Sequence, residues 1–145
     1  MFKRILVPID GSETSKKALG VAVQMASEAG GSIRIIHALD DLSFMSGHDR
    51  RGDLISVAQE NAKTLLAEAA ASARAKGIDA DWKFIEKLGV RLGETVASEA
   101  SEWNADLIVV GTHGRKGLER VLLGSGAEQV IRAAATPVLI VRGGG

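Results

Sequence analysis

The segment from Gly111 to Ser125, GTHGRKGLERVLLGS, concentrates groups suited to holding an anion. Gly111 and Gly114 carry no Cβ, so they permit positive φ and let backbone N–H groups turn toward a ligand. Gly124 and Ser125 stand at the start of an expected helix, whose free N–H groups and dipole favour negative charge, and Ser125 adds a hydroxyl. Two donor clusters of this kind can close around a polyphosphate. A second chemistry sits near the amino terminus, where Asp10 follows the apolar run RILVPI and precedes Gly11 and Ser12. A carboxylate is a poor neighbour for phosphate and a good acceptor for two sugar hydroxyls. On local sequence Asp10 reads equally as a ribose acceptor and as a cap on the following helix.

These residues need elements to position them. RILVPI and ADLIVVG are continuous apolar runs, as expected of strands buried on both faces. After the first, Ala18, Val21, Ala22, Met25, Ala26 and Ala29 recur at helical spacing, and Gly30 and Gly31 end the pattern. SIRIIHAL is the second strand. Asp40 to Asp53 has no clean period and reads as a long connection. A long helix then carries Ile55, Ala58, Ala62, Leu65, Leu66, Ala69 and Ala73 on one face, closed by Gly77. DADWKFIEKL alternates Trp82 and Phe84 against Lys83 and Ile85 as a third strand. A helix from Gly93 to Trp103 turns Val96, Ala97 and Ala100 inward, and one from Ser125 to Ala135 turns Ala127, Val130, Ile131 and Ala134 inward. TPVLIVR is the fifth strand, with Pro137 at its start. Strands alternating with helices imply parallel pairing, because each helix is the crossover that a parallel connection requires. In such a sheet ligands bind beyond the carboxyl ends of the strands, where the strand order reverses. That rule nominates the segments after strands one, two and four.

Composition narrows the function. At 145 residues the chain fits one domain, spanning 1–145 with 143–145 as a frayed tail. Eighteen basic residues balance 18 acidic ones, so no overall field draws in nucleic acid or an anionic membrane. Five aromatic residues, three Phe and two Trp, form no array for stacking bases. No apolar run nears the roughly 20 residues needed to span a bilayer, and MFKRILVPID reads as a strand rather than a secretion signal. The absence of cysteine removes disulfides, thiolate metal sites and thiol nucleophiles, and fits a cytoplasmic setting. Neither G-x-x-x-x-G-K-[ST] nor a G-x-G-x-x-G after strand one is present.

Gly111, two residues, Gly114, nine residues, then Gly124 and Ser125 resembles the G-x2-G-x9-G-[S/T] nucleotide signature of the universal stress protein family. ILVPIDGS, HALD, ADLIVVGTHGR and LGSGAEQVIRAAATPVLIVR resemble that family too, so the likeness covers nearly the whole chain. It implies a single doubly wound, Rossmann-like α/β domain, similar to adenine nucleotide alpha hydrolases, with a five-stranded parallel sheet in the order 3-2-1-4-5. In its ATP-binding members the first-strand aspartate holds the ribose, which falls on Asp10, with Pro8 and Ile9 alongside the nucleotide. Ala38, after the histidine of strand two, borders adenine. The phosphate signature falls on Gly111, Gly114, Gly124 and Ser125, with His113, Arg115, Gly126 and Ala127 as neighbours. The ligand implied is ATP, or ADP or AMP, with Mg²⁺ or Mn²⁺ held by the phosphates and water rather than by a protein ligand set. The family generally forms homodimers through the last strand, here Pro137 to Val141.

Plainer readings stand beside these. His113 lacks metal-ligand spacing to His37 or His48 and reads as a phosphate-loop contact; His37 reads as a core or cleft-lining residue. Lys116, Arg50 and Arg51 read as solvated, and Phe44 and Met45 as cover for the domain's own core. The expected function is an adenine-nucleotide-binding regulatory module of the stress response, with slow or no hydrolysis and an unidentified protein partner. Two alternatives remain: a weak ATPase or phosphotransferase using His113 or Asp10, and a nucleotide-independent dimeric interaction protein.

Overall fold

The computed structural model describes residues 2–39, 51–86, 90–112 and 125–142, with the backbone alone at 39, 51–55, 125 and 126. Five strands alternate with four helices: β1 Arg4–Pro8, α1 Glu13–Ala29, β2 Ser32–Leu39, α2 Arg51–Ala75, β3 Asp79–Glu86, α3 Leu92–Trp103, β4 Leu107–Gly111, α4 Ser125–Ala133 and β5 Val138–Val141. The sheet is wholly parallel in its described pairings, in the order β3-β2-β1-β4-β5. This is the single α/β domain and strand order that the sequence implied.

The apolar strands are continuous because both faces of the sheet are covered. Ile5 and Val7 of β1, Ile33 and Ile35 of β2 and Val109 of β4 pack with Ala18, Ala22 and Ala26 of α1 and Leu66, Ala70 and Ala73 of α2. Leu6, Ile36 and Ile108 point the other way, onto Val96, Ala100 and Trp103 of α3 and Val130 of α4. The alternation of one strand's residues between two cores is the period of 2 expected of a pleated strand.

Several sequence expectations shift in detail. The connection before α2 ends earlier than Asp53, because α2 begins at Arg51. Trp82 alternates with Lys83 as expected but is 36% exposed, since β3 is an edge strand with β2 as its neighbour. Ile131, expected inward, is 42% exposed: α4 already buries Ala127 and Val130, and a step of one residue turns a side chain by about 100°. Glu99 is 3% exposed on a helix face read only for its apolar residues. Phe44, Met45, His48 and Arg50 lie outside the described residues, as do His113, Gly114, Arg115, Lys116, Gly124 and 143–145.

Candidate functional site

The order of the strands places a switch point between β1 and β4: the chain runs outward from β1 through β2 to β3, then returns to the other side at β4. The β1–β4 register comprises Ile5↔Leu107 and Leu6↔Ile108. Beyond those pairs a cavity of about 90 Å³ lies at the carboxyl ends of the strands. Pro8, Ile9 and Asp10 line it from the end of β1, His37 and Ala38 from β2, and Val110 and Gly111 from β4. The first two turns of α3 and α4 complete it through Leu92, Val96, Ala127 and Val130. The carboxyl ends of strands one, two and four therefore converge on one hollow, and of the segments nominated after them, those at 40–50 and 113–124 lie outside the described residues.

Local chemistry shapes its rim. After Ile9, whose N–H donates to the Ile36 carbonyl at 2.8 Å, the chain must turn sharply into α1. Gly11 makes that turn at φ +86°, a left-handed value that disfavours any side chain. Ser12 is the helix cap: its Oγ accepts from the Ser15 N–H at 3.1 Å. Asp10 is not that cap; its Oδ1 accepts from the Ser12 N–H at 2.9 Å, an Asx turn that fixes an exposed carboxylate at the mouth of the cavity. Local sequence left cap and ligand-facing acceptor equal, and the geometry removes the cap.

Gly111 departs from its expected reason. It lies in β4, outside the positive-φ glycines of the described residues, so no left-handed turn requires it. A Cβ there would come within 2.7 Å of Thr14 Cγ2 and of the Thr14 carbonyl oxygen. Glycine at 111 thus lets the start of α1 sit against the end of β4, which brings Asp10 and the strand-four end together. Gly111→Ala is expected to destabilise the fold by about 1–3 kcal/mol through overpacking against backbone, read as a lowered thermal midpoint. An unchanged midpoint would mean that α1 yields without cost.

His37 is cleft-lining, as one of its sequence readings had it, and among the described residues its buried Nδ1 has no hydrogen-bond partner. The imidazole stacks on Phe84 with centroids 6.2 Å apart. Burial lowers its pKa from the ordinary 6.5, and the Asp10 carboxylate pulls the other way. The sign follows from proton counting: below 6.5 the unfolded chain takes up a proton that the folded protein refuses, so acidification favours unfolding. Stability is expected to fall as pH drops from about 7 to about 5.5, and His37→Gln is expected to flatten that slope. Chemical denaturation across this range reads it, and an equal slope in the variant would assign the dependence elsewhere.

Six of the residues nominated from the sequence line the cavity: Pro8, Ile9, Asp10, Ala38, Gly111 and Ala127. Ser125 begins α4, and Gly126 follows it in the helix. Leu92, Val96 and Val130 were not nominated as site residues; Val96 and Val130 carried a core signal, and their places in the first two turns of α3 and α4 are what put them at the sheet's ligand end. Among the described residues, no group of three or more His, Asp or Glu side chains is placed to hold a metal ion, and no helix is long and apolar enough to cross a membrane.

Comparison with known proteins agrees with this geometry. Universal stress protein MJ0531 of Methanocaldococcus jannaschii is 37% identical over 145 residues, covering 98% of this chain and 83% of that protein. A solved structure of the hypothetical protein MJ0577 superposes with a TM-score of 0.84 at 26% identity, over 100% of this chain and 99% of that one. A universal stress protein solved in complex with cAMP is 28% identical with a TM-score of 0.67, each chain covered to 97%. The universal stress protein family model matches residues 1–142. Fold, switch-point cavity and sequence likeness together place the chain in the universal stress protein family.

Proposed function

We propose that this chain is an adenine-nucleotide-binding module, with ATP as its ligand, whose bound and free states differ in affinity for a protein partner. The observation that carries the reading is the convergence of Pro8, Ile9, Asp10, Ala38, Gly111 and Ala127 on one cavity at the switch point. Its apolar walls, Ile9, Leu92, Val96, Val110 and Val130, suit the flat face of a base. The exposed Asp10 carboxylate at its mouth suits the ribose hydroxyls. A volume of about 90 Å³ is below that of a whole-ligand site, so these walls enclose one end of a nucleotide. The remainder extends past Gly111 toward the start of α4.

In this reading the phosphates are met by backbone donors at Gly111, Gly114, Gly124 and Ser125, with His113, Arg115, Gly126 and Ala127 beside them. Mg²⁺ or Mn²⁺ is held by the phosphates and water. Hydrolysis is slow or absent, because Asp10 serves as a sugar acceptor and the phosphates face N–H donors rather than a base. Two copies join through Pro137 to Val141, a reading supported by the edge position of β5 and by Leu139, 36% exposed on it. The setting proposed is the cytoplasm. The cAMP complex of a relative supports the nucleotide class.

Gly114→Val tests the phosphate half. A branched side chain blocks close approach of the phosphates, so ATP affinity is expected to fall at least tenfold, about 1.4 kcal/mol, while the thermal midpoint without ligand is unchanged. Retained ATP affinity would shift the assignment to a nucleotide-independent interaction protein. Loss of folding would mark Gly114 as structural.

A further inference from the structure

A second cavity, of about 350 Å³, lies on the opposite side of the β1–α1 turn, in the groove between α1 and α2. We propose that it binds a small amphiphilic carboxylate, with an apolar chain lying along the groove and its anionic head at Lys76. The floor and walls are apolar: Ile9, Leu19, Val23, Leu65 and Ala69. The volume lies in the range of small-molecule sites, and it is larger than the switch-point cavity.

Gly20 supplies an independent sign that the groove is kept open. It lies in the middle of α1, where glycine is destabilising relative to alanine. No close packing requires it, since a Cβ at 20 would meet nothing within 4 Å. Across the groove Ala69 and Ser72 are small as well. Leucine or methionine at 20 would favour the helix and fill the groove.

Charge orients the occupant. Lys16, Glu68 and Lys76 line the cavity, two cations against one carboxylate. Lys16 already has Glu13 at 3.8 Å, on its own helix. Lys76, just past the end of α2, has no ion pair among those found in the described residues. A carboxylate head therefore belongs at the Lys76 end, eight residues from Glu68, the carboxylate among the groove's lining residues. From Lys76 to Leu65 the groove follows eleven residues of α2 and its end, about 16 Å at helical rise, which accommodates an extended medium-length chain. The far end of that chain meets Ile9, Gly11 and Ser15; Ile9 and Ser15 also line the switch-point cavity. An occupant long enough to reach them shares a wall with the nucleotide site, a coupling that rests on the nucleotide reading above, whereas the groove site itself does not.

Dodecanoate is the probe, titrated calorimetrically into the intact protein below its micelle concentration, with acetate as the headgroup-only control. Saturable dodecanoate binding is expected, with none for acetate. Gly20→Phe and Ser72→Phe fill the groove from opposite helices, and each is expected to abolish binding while leaving the thermal midpoint near that of the parent. Lys76→Met is expected to weaken binding roughly threefold, the scale of an exposed ion pair. Absence of saturable binding overturns the site, as does binding that survives both groove-filling variants. Dodecanoate binding to protein that binds no ATP would retain the groove site and reject the nucleotide reading; ATP binding without dodecanoate binding would do the reverse.

Discussion

Asp10→Ala is expected to weaken adenine-nucleotide binding roughly ten- to hundredfold, the scale of about 1.5–3 kcal/mol for hydrogen bonds to a charged group. The cost of the same change to the Ser12 turn is small. Asp10 Oδ1 accepts from the Ser12 N–H at 2.9 Å, an exposed bond in which water can take the acceptor's place. The cap of α1 is untouched, because Ser12 Oγ and the Ser15 N–H make it. Asp10→Asn separates the two roles: it keeps an acceptor for Ser12 and loses the charge that favours two ribose hydroxyls. A smaller loss of affinity is expected there, with a thermal midpoint equal to that of the parent. Calorimetric titration beside thermal melting measures both. Affinity unchanged in Asp10→Ala would confine Asp10 to the turn.

The second large effect is on stability. Glu99, 3% exposed on α3, accepts from Arg34 Nη1 and from Lys83 Nζ, each at 2.9 Å. Arg34 also holds Asp81 through two contacts, at 3.0 and 2.9 Å, and its guanidinium lies 5.2 Å from the centre of the Trp103 ring. The network fastens α3 to β2 and β3, while the Gly93 N–H, bonded to Gln129 Oε1 at 3.0 Å, fastens α3 to α4. Both helices carry cavity walls, so the network sets the shape of the site from a distance. Arg34→Ala leaves the buried Glu99 with Lys83 alone, which is half exposed. A loss near 3 kcal/mol is expected, the low end of the range for breaking a buried pair because Lys83 remains. At a few degrees per kcal/mol this lowers the thermal midpoint by about 10 °C. Asp81→Ala removes only the exposed arm and is expected to cost under about 1 kcal/mol. Urea denaturation with an unaltered slope reads both changes; equal costs for the two variants would show that burial of Glu99 contributes nothing.

How much of this was legible in the residues depends on whether the determining contact is local. RILVP and LIVVG are strands by composition, since a strand buried on both faces is apolar almost throughout; SIRIIHAL, which carries Arg34 and His37, is marked instead by its isoleucines, and β2 matches its expected bounds. The strand order followed from the family likeness together with βαβ alternation. The start of α2 was misjudged by three residues, because Arg51, Gly52 and Asp53 resemble a turn in isolation. They are helical in the context of a 25-residue helix whose apolar face lies further along. The Glu99 network was invisible for a different reason: Arg34 is 65 positions away, and nothing local marks a buried carboxylate.

At the site, Asp10 and Gly111 were found by type; the structure removes the cap from the two local readings of Asp10 and changes the reason for Gly111. Asp10 is a turn-forming acceptor rather than a cap, and Gly111 avoids a collision with Thr14, a contact made only when the first helix folds back on the fourth strand. Leu92, Val96 and Val130 became site residues only once α3 and α4 were placed against the sheet. The orphaned Nδ1 of His37 likewise emerges only once the strands and helices are packed.

Nucleotide binding itself is read by titrating ATP with Mg²⁺ into protein freed of any carried-over ligand, followed by calorimetry at two temperatures. Saturable binding near a micromolar constant, about −8 kcal/mol at standard state, is expected, with a matching loss in Asp10→Ala. No saturable binding at either temperature, in protein that melts cooperatively, would contradict the nucleotide assignment and leave a dimeric interaction protein built on the same fold.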